Sequence, residues 1–100
     1  MTRVVLSIAF AFVVGFASAA GAQTDPADAA YRSKDYAAAA SAYRTVVAAA
    51  PENATAWYRL GVSLAALGDD GEAARSFEIA LARGFDASSV HYRLAQLAVR

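Results

Sequence analysis

The chain has 100 residues, with nine Lys+Arg against nine Asp+Glu, no Cys and a single His. One small domain is the upper bound at this length. The neutral balance argues against nucleic acid as a ligand, because phosphate binding needs a basic surplus. The composition also excludes disulfides, thiolate metal sites, a Cys nucleophile and a lipid-anchored lipoprotein Cys. Ala is the commonest residue and only two Pro occur, so the chain is expected to be all-α.

The first element is a leader. Arg3 supplies a basic start, Val4 to Phe16 is an apolar run, and Ala17-Ser18-Ala19-Ala20-Gly21-Ala22 is a small-residue cleavage region. Residues 1–22 therefore read as a secretory signal peptide cleaved after Ala22, with Ala19 as second choice. The chain would then touch a membrane only in transit and work in the periplasm or outside the cell. An uncleaved anchor is the alternative, since the uncharged stretch approaches the ~20 residues a span needs.

Beyond the leader the expected helices follow in order. Pro26–Ser33 opens after Asp25, with Pro26 suited to a first helical position. Tyr36–Ala50 follows and is closed by Pro51. Asn53 is the expected N-cap of a third helix. Trp57, Leu60, Gly61 and Leu64 mark one face of it at i, i+3, i+4, i+7 spacing. Gly68-Asp69-Asp70 turns the chain, with Asp70 as the next N-cap. Ala73, Phe77, Ala80 and Leu81 form the facing stripe, Phe77 is expected near a buried Trp57, and side-chain-free Gly61 permits close approach. Gly84-Phe85 turns again, and Asp86 caps a last helix over Ala87–Arg100.

These helices repeat. At a shift of 34 residues Ala39 falls on Ala73, Tyr43 on Phe77 and Pro51 on Phe85. Trp57-Tyr58-Arg59-Leu60 recurs as His91-Tyr92-Arg93-Leu94. The signature residues Trp57, Leu60, Gly61, Ala73 and Phe77, preceded by Ala39, Tyr43 and Pro51, resemble the tetratricopeptide repeat. Two positions depart from that pattern: Leu64 stands where the family usually has Tyr, and Phe85 where it has Pro. The resemblance implies a helix-turn-helix solenoid of about five antiparallel helices, divided as a partial repeat (23–53), a full repeat (54–87) and a half repeat (88–100).

What the resemblance implies about function is a non-catalytic scaffold that binds a protein or peptide segment in a concave groove. The groove residues would be Tyr31, Arg32, Tyr58, Arg59, Val62, Tyr92, Arg93 and Gln96. Tyr is a favourable contact residue and Arg could grip carboxylates. The competing expectation is that Tyr58 and Tyr92 pack between helices while the Arg residues are solvated. The Lys/Asn clamp by which some members hold a terminal carboxylate is not matched here. No catalytic, metal or cofactor site is expected. His91 occupies the Trp slot of its repeat, and Asp69-Asp70 lie in a turn where Asp is wanted for capping. The half repeat leaves Leu94, Ala95 and Ala98 for a further helix or for self-association. It also fits the alternative of a front module in a longer secreted enzyme or envelope assembly factor.

Overall fold

A computed structural model describes residues 24–100, and the leader expected over residues 1–22 lies outside them. Five helices make up the described residues: α1 over 24–32, α2 Tyr36–Ala49, α3 Ala54–Ala66, α4 Asp70–Ala82 and α5 Ala87–Ala98. No strand occurs among the described residues. The architecture is an all-α array in which α3 packs on α2 and on α4, and α5 packs on α4 and more lightly on α3. Among the described residues, no helix is long and apolar enough to cross a membrane.

Three of the four turns that join the described helices, all but the one between α2 and α3, share one chemistry. Lys34, Gly68 and Gly84 each have positive φ, at 64°, 86° and 99°. In each case the next residue's N–H reaches back to close the preceding helix: Asp35 to Ala30, Asp69 to Leu64 and Phe85 to Ala80. The positive-φ residue itself bonds Tyr31, Ala65 or Leu81. This paired closure satisfies carbonyls that a helix end leaves open. Glycine adopts the left-handed conformation freely, and Lys34 adopts it against the steric preference of a side chain.

Asn53 and Asp86 cap as expected, accepting from the N–H groups of Ala56 and Ser89. Asp35 does the same for Ala38. The expected cap at Asp70 is corrected: Asp69 holds that position without a side-chain bond, and Asp70 is the first helical residue. The closure after Gly68 fixes this, because Asp69 must aim its N–H back at Leu64 and so becomes the junction. Asp70 instead lies 3.4 Å from the Arg100 guanidinium. Pro26 is also displaced from the first helical position, since helix already covers residues 24 and 25. It remains within the described first turn, where a missing N–H has no intrahelical partner to lose.

The core runs the length of the array. Tyr43, Phe77, Leu64 and Val90 are its largest fully buried side chains, interleaved with Ala27, Ala39, Ala73 and Ala80. Phe77 lies directly on Gly61, where an added Cβ would sit 2.7 Å from the ring. Trp57 does not occupy the place expected for it. The aromatic beside Phe77 is Tyr58, at a centroid distance of 5.5 Å. Trp57 is half-buried on another face, its indole N–H donating to the Pro51 carbonyl at 2.8 Å. There it lines a hollow of about 320 Å³ with Leu60, Glu72, Arg75, Ser76 and Ile79. Adjacent residues on a helix point about 100° apart, and here the Tyr takes the inward direction.

Candidate peptide-binding cleft

Helices α1, α3 and α5 place the expected groove residues at two successive junctions, and the two differ. At the first junction Arg59 on α3 forms an ion pair with Asp28 on α1 at 2.9 Å. The Tyr43 hydroxyl donates to the same carboxylate, and Arg59 also lies 3.4 Å from that hydroxyl. The Arg59 guanidinium sits over the Tyr31 ring, 5.1 Å from its centroid. Tyr31 in turn meets Tyr36 and Tyr43 edge-on, at 6.4 and 6.2 Å. Burial, followed by the bond to Asp28, pushes the Tyr43 phenol up to about 12. Arg59 is raised above its ordinary value, first by its bond to Tyr43. This junction is closed: its cation, anion and hydroxyl are matched to one another.

At the second junction Arg93 Nε on α5 donates to the Tyr58 hydroxyl at 3.0 Å, and its guanidinium lies 5.9 Å from the Tyr58 ring centroid. Arg93 Nη1 reaches Gln96 Oε1 at 3.5 Å, while Gln96 Nε2 donates to the Tyr92 hydroxyl at 3.2 Å. Tyr58 is held from below by Phe85, stacked at 4.2 Å and 15°. Tyr58 is therefore half-buried packing with a polar tip, whereas Tyr92 is 62% exposed. A cleft of about 210 Å³ runs between α3 and α5. Val62, Ala65, Phe77 and Leu97 give it apolar walls, Tyr36 and Gln96 add polar tips, and Arg93 and Arg100 are its cations. Arg100 is engaged by Asp70 and by the Ala65 carbonyl at 2.9 Å.

Of the expected groove set, Val62, Arg93 and Gln96 line this cleft, and Tyr58 and Tyr92 flank it through their bonds to Arg93 and Gln96. Tyr31 and Arg59 belong to the closed junction, and Arg32 is exposed at the end of α1. Three residues had escaped the sequence reading: Asp28, Tyr36 and Arg100. Asp28 was legible in one respect. It stands 34 residues before Val62, so the repeat alignment exposes a carboxylate that one junction has and the next lacks. Elsewhere, His91 is exposed on α5, and Asp69 is exposed at its turn. Leu94 and Leu97 are half-buried against the core, while Ala95, Ala98 and Val99 face out.

A family model described as Tetratricopeptide repeat matches residues 24–89. The chain belongs to the tetratricopeptide repeat family. A search of curated proteins finds no match to it. Tetratricopeptide repeats are protein–protein interaction modules, and the solenoid has the helix-turn-helix succession of that family. The two turns inside its helix pairs, at Lys34 and Gly68, occupy equivalent positions one period apart.

Proposed function

We propose that this tetratricopeptide repeat chain is an exported, non-catalytic scaffold that holds a segment of a partner polypeptide in the cleft between α3 and α5. The observation that carries the reading is the pairing of an exposed aromatic with an apolar-walled cleft. Tyr92 stands 62% exposed and is bonded to Gln96 at the edge of a hollow walled by Val62, Ala65 and Leu97. Tyr offers a broad, rigid contact surface with few rotatable bonds, the property that makes it favourable in recognition. An elongated segment can use apolar walls, a Tyr and a cation together, whereas a single small metabolite has little enclosure here.

Export rests on Arg3, the Val4–Phe16 run and the small residues up to Ala22. The site of action is then the periplasm or the external medium. Intact-mass analysis of the exported protein should show a chain beginning at Gln23. Recovery of Met1 on material confined to the cytoplasm would reject export.

For the binding role, a photo-reactive benzoylphenylalanine placed at Tyr92 should crosslink a polypeptide in living cells. The same group at exposed Glu78 on α4 should not. Equal crosslinking at both positions, or none at Tyr92, would refute the cleft as the binding surface.

A further inference from the structure

The repeat alignment isolates one side chain whose matched partner has been removed. At the first junction Asp28, Tyr43 and Arg59 form one connected polar group. Thirty-four residues on, the equivalent positions are Val62, Phe77 and Arg93. The carboxylate has become Val and the phenol has become Phe, yet the Arg persists. Among the described residues Arg93 has no carboxylate within ion-pair distance, whereas Arg44, Arg59 and Arg100 each have one.

A guanidinium carries five N–H donors in a planar fork. Here Nε is satisfied by the neutral Tyr58 hydroxyl and Nη1 makes a long contact to Gln96. The remaining donors are available at a half-buried position over an aromatic ring, where a charge-assisted bond is stronger than in open water.

We propose that Arg93 is the docking point for one acidic side chain, Asp or Glu, within the partner segment. This deepens the peptide-scaffold reading and rests on it. The chemistry is that of a single carboxylate. Arg93 is the one cleft cation without an acidic partner among the described residues, because Arg100 is engaged by Asp70. A polyanion would find too little charge to meet. The source is an internal side chain and not a chain terminus, because the molecule carries its own example of the contact. Arg59 receives the side-chain carboxylate of Asp28, presented from a helix beside the same kind of aromatic surface. The partner's Asp or Glu restores at the second junction the anion that Val62 omits.

The test is a selection of short random peptides, capped at both ends, on the full chain and on Arg93→Gln and Arg93→Glu variants. A parallel library has free C-termini, and circular dichroism checks each variant's helicity. Peptides selected by the parent should carry Asp or Glu at one fixed internal position, enriched about tenfold, in keeping with a hydrogen bond to a charged group. Arg93→Gln should lose that preference while still binding, and Arg93→Glu should prefer Lys or Arg there. Should Arg93→Glu fail to fold, Arg93→Gln alone decides. Binding without acidic enrichment overturns the assignment of Arg93 and leaves the scaffold reading standing. So does enrichment that survives Arg93→Gln, or acidic preference seen only at free C-termini. If the parent selects no peptide at all, the scaffold reading fails and this proposal falls with it.

Discussion

Replacing Gly61 by Ala tests the closest approach in the structure. The added Cβ would lie 2.7 Å from Cε1 and 2.8 Å from Cδ1 of Phe77. Carbon pairs favour about 3.5–4.0 Å, so the ring must retreat by about 1 Å. Phe77 is fully buried with Tyr58 beside it, which leaves it little room. Overpacking of this kind costs about 1–3 kcal/mol. Ala is better than Gly inside a helix by about 1 kcal/mol, which offsets part of that. The expected net loss is therefore about 1 kcal/mol, or a fall in Tm of about 4–8 °C for a domain of this size. Thermal and urea unfolding followed by circular dichroism would measure it. A Gly61→Ala protein that melts at or above the parent would refute the reasoning. A second check is the double variant with Phe77→Leu. Removing ring atoms should cost less in the Gly61→Ala background than in the parent, with a coupling above about 0.5 kcal/mol. Additive effects would mean that the glycine and the ring are not in conflict.

Lys34→Gly should stabilise the chain by about 0.5–1 kcal/mol, since Lys34 holds a φ of 64° that L-residues resist and Gly68 accepts at the equivalent turn; an unchanged or lowered urea midpoint would contradict this. Tyr43 should make stability fall between about pH 10 and 12. Burial and Asp28 hold its folded pKa at about 12, above the ~10 of the unfolded phenol, so the unfolded chain releases a proton that the folded chain keeps. Its contribution is complete below about pH 10 and is lost as pH rises through 12, and Tyr43→Phe should flatten the slope of the urea midpoint across that window.

The helices were readable because the period is carried by residues whose environments recur. Ala39 and Ala73, and Tyr43 and Phe77, are all fully buried, so selection by packing leaves a matched pair at each site. Turn chemistry was readable at Gly68 and Gly84 because glycine itself marks a left-handed closure. For the left-handed Lys34 the only signal was the 34-residue alignment that sets it on Gly68, because nothing in a Lys itself announces positive φ. Doubled residues defeated the reading in two places. Asp69-Asp70 offered two caps in a row, and the Gly68 closure chose between them. Trp57-Tyr58 offered two large aromatics in a row, and periodicity alone favoured the Trp. The hydroxyl of Tyr58 can reach Arg93 while its ring stacks on Phe85, a combination of polar tip and buried body that the indole would not reproduce there.

The two junctions also differ in what their Arg residues do. In a repeat array each interface contributes nearly independently. The first junction joins α1 to α3 through a matched ion pair and a phenol, which fix the register of the two helices. At the second, Val62 and Phe77 stand in those places with apolar surface, and α5 also packs on α4 and buries Val90 fully. Arg93 then lacks the ion pair that Arg59 makes, and its contact across the junction is to the neutral Tyr58 hydroxyl. Half-buried over Tyr58, its guanidinium is held charged chiefly by the Tyr58 hydroxyl, which outweighs the opposing effect of burial, while no carboxylate of the described residues meets it. An anion from outside the chain, as proposed above, would complete the group. For that reason the two junctions should respond in opposite ways. Substitution of Arg59 should lower the folding stability of the free protein, while substitution of Arg93 should change peptide preference with the melting temperature little altered. Should Arg93→Gln destabilise the free protein as much as Arg59→Gln does, Arg93 would be structural after all.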